Sequence, residues 1–197
     1  MNSKNLQDLF ENLQDGTVLA FYKSGLIGSI IPFFTRENKG EEPPHHVGIV
    51  YDVKRNKRRI AFKLSEQGFH GGQYRDVEIN KFNDTYYTTD KYFLKQKKVG
   101  MSPIKMTSEQ IKRGIEDAIA QIGVKYGFTR LVLGAEFIER FLPKNFRRNL
   151  FLRLNKKNKL RICSTHIVFN LNKAGFNIPL DDIYSPLELI KLIQCLK

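Results

Sequence analysis

The stretch from His46 to Glu66 limits the fold more than any other part of the chain. HVGIVYD at 46–52 is almost uniformly apolar after its histidine, as in a strand buried on both faces. RIAFKLSE at 59–66 puts Ile60, Phe62, Leu64 and Glu66 on one face by alternation, and KRNK at 54–57 supplies a polar turn between the two runs. Such a pair folds as an antiparallel hairpin, so the rest of the chain must be accommodated around a sheet. With the turn centred on Asn56, Val50 faces Phe62, Gly48 faces Leu64 and His46 faces Glu66. Directly opposed residues have Cβ atoms about 4.5 to 5.5 Å apart, within reach for a carboxylate to hold an imidazole by one ring nitrogen. A slip of one residue in the register destroys that pairing.

The remaining segments alternate between helix and strand signals. Leu6, Leu9, Phe10 and Leu13 share one helical face, and after the Asp15-Gly16 turn signal TVLAFY at 17–22 reads as a strand. GLIGSIIPFF carries Leu26, Ile27, Ile30 and Ile31 at helical spacing up to Pro32, and Arg36 to Pro44 is a polar loop rich in breakers. GFHGG at 68–72 reads as a turn, and Arg75 to Ile79 and Lys91 to Lys98 read as further strands. Thr107 to Ile122 is an amphipathic helix with Thr107 and Gln110 as a capping box, Ile111, Ile115, Ala118, Ile119 and Ile122 as its apolar face, and Gly123 as its stop. A second helical stretch runs from about Thr129 to Leu142 and is closed by Pro143, and Ser185-Pro186-Leu187-Glu188 marks a last helix start. The class this implies is α+β, a central antiparallel sheet packed against helices. It forms one domain over 1–197 with a basic elaboration at about 143–161.

The charge bears on partners. With 33 Lys and Arg against 20 Asp and Glu the chain carries +13, enough to attract phosphate backbones, anionic lipids or acidic polymers. The basic residues gather at Lys54 to Arg59, Lys95 to Lys98 and Arg147 to Arg161, and no nucleic-acid motif or zinc spacing accompanies them, so nucleic acid is the less favoured partner. The segment at 143–161 interleaves Phe146, Leu150, Phe151, Leu152 and Leu154 with its charges, a pattern suited either to an anionic membrane surface or to an ordinary surface elaboration. No continuous apolar h-region opens the chain and no run approaches the ~20 apolar residues of a membrane span, so a cytoplasmic location is expected. Two cysteines are too few for a disulfide framework and agree with a reducing compartment.

One of those cysteines has a position that suits chemistry. In LRICSTHIVFNLNKAG, from Leu160 to Gly175, the residues Ile167, Val168, Leu171 and Ala174 make one apolar helical face and Gly175 stops it, which places Cys163 in the first turn. A thiol there meets unsatisfied backbone N–H groups and the positive end of the helix dipole, which favour a thiolate, although a small buried hydrophobe is the ordinary role of a free cysteine. A cysteine nucleophile needs a base, and the base needs a group that fixes its tautomer. Cys163, His46 and Glu66 would fill those roles. His45 competes as the base but falls on the opposite strand face or in the loop before it. Cys163 and His166 form half of a metal-ligand spacing, with no second pair to complete it, so no metal and no cofactor are expected, and His166 reads as a packed helix residue.

Taken in order, the turn and strand at Asp15 to Tyr22, HVGIVYD, Glu66, GVKYGF at 123–128 and ICSTHIVFNLNKAG resemble the circularly permuted NlpC-type papain-like proteins. The YiiX-like proteins are one branch of that family, and lecithin:retinol acyltransferase is a distant relative. The resemblance covers about residues 15 to 190 and implies a papain-like fold, a triad of Cys163, His46 and Glu66, and an oxyanion hole that includes the Cys163 backbone N–H. It implies a thiol hydrolase that cleaves an amide, peptide-like bond through an acyl-enzyme, with a peptide or acyl substrate such as a cell-wall-derived peptide. A lipid acylhydrolase or acyltransferase with the same triad is the alternative within the family, and an inactive basic module that binds anionic ligands is the alternative outside it. Thr17, Thr165 and the long basic stretch before Cys163 depart from the family pattern and bear on substrate rather than on the triad.

Overall fold

The computed structural model describes residues 1–22, 43–68, 70–125, 162–179 and 184–195. Helix α1 (Ser3–Asn12) leads into β1 (Val18–Tyr22), followed by β2 (His46–Arg55), β3 (Arg59–Gly68), β4 (Gly71–Phe82) and β5 (Thr85–Tyr87). Then come a short helix α2 (Lys91–Leu94), β6 (Lys98–Ser102), α3 (Ser108–Ala120), α4 (Cys163–Lys173) and α5 (Pro186–Cys195). The fold is α+β. Its six strands form one antiparallel sheet in the order β5-β4-β3-β2-β1-β6. The apolar segment at 25–34, most of the loop at 36–44, the helical stretch at 129–142, the basic segment at 143–161 and the end of GVKYGF lie outside the described residues.

The sheet curls because α1 packs against both of its edge strands, β5 and β6. Leu6, Leu9, Phe10 and Leu13 of the α1 region, all buried as their spacing predicts, join Leu19, Phe21, Val50, Phe62, Leu64, Val77 and Phe93 in the core on that face. The opposite face carries Val18, Val47, Ile49 and Tyr51, and there α4 and α5 contribute Ile167, Val168, Leu171, Leu189 and Ile193. β2 is therefore buried on both sides, as its unbroken apolar run requires.

Helix starts are set by short-range chemistry. Thr107 Oγ1 accepts from Gln110 N at 3.2 Å while Gln110 Oε1 accepts from Thr107 N at 2.9 Å, the expected reciprocal box. Ser185 and Glu188 form a second box ahead of α5. Lys91 to Lys98 is not a strand: Asp90 accepts from the N–H groups of Tyr92 and Phe93 and starts α2 there, and β6 begins only at Lys98. The apolar face expected for α3 holds at Ile111, Ile115 and Ala118 and is rotated in its last part. Gly114 lies against Tyr51, where a Cβ would stand 2.3 Å from the phenol oxygen, so Gly114 and Ala118 are the buried residues and Ile119 and Ile122 are turned to the surface.

The β2–β3 register differs from the expected one by two residues. Val50 pairs with Leu64 and Gly48 with Glu66. The turn lies later than assumed, because Asn56 N donates to Arg59 O while Asn56 Oδ1 accepts from Arg58 N and Arg59 N. One residue of the difference is then absorbed by a bulge: between the pairs Tyr51/Lys63 and Lys54/Ala61, β2 advances three residues and β3 two. Asp52 takes a left-handed φ of 55° in the bulge, and Val53 N donates to Asp15 Oδ1 at 2.9 Å. The shift is even overall, so His46 and Glu66 stay on the same face.

Replacing Asp15 by alanine leaves the Val53 N–H without its acceptor. We expect a loss of about 1 kcal/mol in urea unfolding, and a smaller loss for Asp15→Asn, which keeps a carbonyl oxygen at that place.

Candidate active site

His46 is the first residue of β2 and Cys163 the first of α4, and the docking of α4 on the sheet brings both to the same end. Two buried contacts one and two turns beyond Cys163 fix how far α4 slides along the strands. His166 Nε2 and Ser65 Oγ of β3 are hydrogen-bonded at 2.9 Å, and Tyr51 of β2 donates to Asn170 Oδ1, whose Nδ2 donates to Gly114 O at 2.8 Å. Residues 163, 166 and 170 lie at i, i+3 and i+7 and share one helical face, so the same face that binds Ser65 and Tyr51 delivers Cys163 to His46. Sequence reasoning missed His166 and Asn170 as a docking pair. Two polar residues at core spacing in an otherwise apolar helix were the available signal.

Glu66 Oε2 lies 2.8 Å from His46 Nε2, and the Cys163 side chain is near enough to the His46 ring to help keep it protonated. With Nε2 committed to Glu66, Nδ1 is the nitrogen left for sulfur. The three side chains named from the sequence therefore form one line, but His46 and Glu66 meet diagonally rather than face to face. Gly48, directly opposite Glu66, makes this feasible: a Cβ there would stand 2.8 Å from Leu64 Cδ1 and 3.4 Å from Glu66 Cβ, in the space over which the carboxylate reaches. His45 sits in the bend before β2, its N–H donating to Phe21 O, and its ring centroid is 6.5 Å from that of His46. His70 is exposed in a turn, and Cys195 is exposed at the end of α5.

The line continues through residues not singled out in the sequence. Arg75 Nε donates to Glu66 Oε1 at 2.6 Å, and Arg75 Nη1 donates to Asp90, the residue that caps α2. Tyr92 of α2 places its ring 6.0 Å from the His46 ring and 5.6 Å from the Arg75 guanidinium, and Phe21 lies 5.6 Å from the imidazole and 5.3 Å from the Tyr92 ring. Arg75 was legible only through strand parity: it pairs with Leu64, two residues from Glu66, and so occupies the same face.

Burial opposes charge on His46, yet the hydrogen bonds and charges of Cys163 and then Glu66 outweigh it and raise the imidazole to about 10. Burial likewise opposes charge on Glu66, and His46 followed by Arg75 outweigh it and hold the carboxyl down at about 2. His46 is thus an imidazolium and Glu66 a carboxylate at neutral pH. Tyr92 is kept protonated, mainly by burial and then by the charges of Glu66 and Cys163. The Cys163 backbone lies in the first turn of α4, whose cap residue Ile162 offers no side-chain acceptor.

Among the described residues, no three His, Cys, Asp or Glu side chains gather as a metal site would require, and no helix is long and apolar enough to cross a membrane. No family model, curated protein or solved structure matches the chain.

The pair's effect on stability has a defined pH window. Glu66 is lowered from 4.5, so its contribution is complete above 4.5 and is lost as pH falls through about 2. His46 is raised from 6.5, so its contribution is complete below 6.5 and is lost as pH rises through about 10. In Arg75→Ala we expect the Glu66 carboxyl titration, followed by NMR, to move up from about 2, with about 2 kcal/mol lost in denaturant unfolding.

Proposed function

We propose that this protein is a thiol hydrolase that cleaves an amide bond through a Cys163 acyl-enzyme, on a fold of the circularly permuted NlpC-type papain-like kind. The observation that carries this reading is one imidazole hydrogen-bonded to a buried carboxylate and raised in pKa by a cysteine at a helix N-terminus beside it. A purely structural buried histidine needs neither a thiol nor a charge. An imidazolium kept charged beside a sulfur supplies both the nucleophile's counter-ion and the proton for a leaving group.

In the reaction, Cys163 thiolate attacks the carbonyl carbon and forms a C–S bond, with the negative charge moving to the carbonyl oxygen near the Cys163 N–H. His46 then gives its proton to the leaving nitrogen, the C–N bond breaks and an amine departs, leaving a thioester and a neutral imidazole. Water attacks the thioester while His46 takes one of its protons, the C–S bond breaks, and a carboxylic acid leaves as the thiolate and imidazolium are restored. Glu66 keeps the ring oriented and stabilises its charged form, with Arg75 holding Glu66 in turn. A carboxylate as the third group favours amide cleavage over lipid acyl transfer, because the lipid acyltransferases that the sequence resembles more distantly generally carry a second histidine there.

Cys163→Ala is expected to abolish turnover of peptide-like substrates and labelling by a thiol-directed acylating probe, while Cys195→Ala changes neither. Equal labelling of the two thiols at neutral pH would count against an activated Cys163. Glu66→Gln should lower turnover less than His46→Ala, since an orienting group is partly replaceable. In a pH profile of kcat/KM, the alkaline limb of the wild type should lie near the raised His46 value of about 10, well above an ordinary histidine.

A further inference from the structure

Tyr92 is engaged at every point except its hydroxyl. Its N–H donates to Asp90 Oδ1 at 3.0 Å and its carbonyl accepts from Gln96 Nε2 at 2.8 Å, so the backbone of α2 is held on both sides of it. Its ring meets the rings of His46 and Phe21 in T-shaped contacts at 6.0 and 5.3 Å, and the Arg75 guanidinium stands 5.6 Å from its centre. The hydroxyl makes no hydrogen bond among the described residues, and it is not one of the buried polar atoms left without a partner, so this half-buried side chain opens its oxygen to solvent. Phenylalanine would make the same ring contacts. The packing of Tyr92 therefore does not account for its oxygen.

His46 separates two sides of the site. Tyr92, Phe21 and Phe93 belong to the core on the α1 face of the sheet, whereas Cys163 belongs to the core on the α4 face. In the reaction above the acyl carbonyl and its developing charge meet Cys163 and its N–H, on the α4 side. The departing nitrogen takes its proton from His46, so the part of the substrate that leaves with it runs past the imidazole toward α2. The Tyr92 ring centre is 6.0 Å from that of His46 and an extended chain covers about 3.3 to 3.6 Å per residue, so the first or second residue after the scissile bond meets the hydroxyl.

Resting on the hydrolase reading above, we infer that Tyr92 is a specificity residue whose hydroxyl donates to a carbonyl on the leaving-amine side of the scissile amide. Burial, and after it the charges of Glu66 and Cys163, keep the phenol protonated, so the oxygen has a proton to give. A site that hydrogen-bonds a substrate group favours that substrate over the analogue lacking it. Because water reaches this hydroxyl, the preference is that of one ordinary hydrogen bond, about two- to tenfold. The substrate class is then a peptide bond followed by at least one further amide or carboxyl group, rather than a terminal amide that releases ammonia or an ester that releases a fatty alcohol.

The test uses the full chain with Cys195→Ala. Cys163 is acetylated with p-nitrophenyl acetate, and the acetyl-enzyme is partitioned between two amines of similar basicity at equal concentration: glycinamide, which carries a carbonyl, and propargylamine, which does not. The amine that departs in cleavage is the one that attacks in reverse: its nitrogen bonds the acyl carbon, the C–S bond breaks and its proton passes to His46. The ratio of N-acetylglycinamide to N-acetylpropargylamine, corrected with Cys163→Ala for the uncatalysed reaction, should exceed one. It should fall about two- to tenfold in Tyr92→Phe, which keeps the ring and removes only the O–H. A ratio of one in the parent chain, or a ratio that Tyr92→Phe leaves in place, overturns the assignment of Tyr92 while the hydrolase reading stands. A Tyr92→Phe chain that also loses Cys163 alkylation by iodoacetamide marks a packing role and overturns the assignment as well. Failure of Cys163 to take the acetyl group overturns both.

Discussion

The structure depends on a matter of parity in β2. Side chains of a strand alternate between faces, so His46 and Glu66 can meet only if the pairing of β2 with β3 places them on the same side. Near the turn Arg55 pairs with Ile60, and that register carried unchanged along the hairpin would put Glu66 opposite Ile49, on the face away from His46. The extra residue of the bulge between Tyr51 and Lys54 reverses this. Asp15, delivered by the turn between α1 and β1, accepts the Val53 N–H at the bulge, while Arg55 donates to Leu13 O from the same strand. The start of the chain thus stabilises an irregularity whose consequence appears six residues away, at the imidazole.

A second constraint fixes the sulfur. α4 buries Ile167, Val168 and Leu171 against the sheet, but apolar packing alone tolerates sliding along the strand direction. Buried hydrogen bonds do not tolerate it, because a shift of one residue leaves a polar group unmet inside the core. The contacts of His166 with Ser65 and of Asn170 with Tyr51 therefore act as registration marks for the helix, and Gly114 lets α3 come close enough to complete them. Cys163 reaches His46 because these two polar residues stop α4 at that point.

Much of this was legible in the residues. The terminal helix, the strand character of 46–52 and 59–66, the capping box of α3 and the stop at Gly175 follow from periodicity and short-range hydrogen bonding, which operate within a few residues. The grouping of Cys163, His46 and Glu66 was legible too, because parity survives an error of two in the register. What failed depended on longer-range facts. The bulge needs an acceptor from Asp15, the helical turn at Lys91 arises from a capping Asp90 that outweighs the strand-like Tyr92 and Phe93, and the rotation of α3 follows from Tyr51 pressing on Gly114. Arg75 escaped notice because a basic residue at a strand start is ordinary until its neighbour across the sheet is known.

The line Cys163, His46, Glu66, Arg75, Asp90 also explains how so much charge is held near a core. Glu66 lies between two cations and Arg75 between two carboxylates, so each of these two has an opposite charge on either side and removal of one leaves its neighbours exposed to the burial penalty. Both ends of the line terminate at helix starts. At α2 the free N–H groups of Tyr92 and Phe93 are taken by Asp90, which satisfies them and anchors the outer end. At α4 the cap residue is Ile162, Thr165 Oγ1 accepts the Ile162 N–H, and among the described residues the cap makes no side-chain hydrogen bond to the first turn. One helix start is closed by a carboxylate, and the other has no such cap among the described residues.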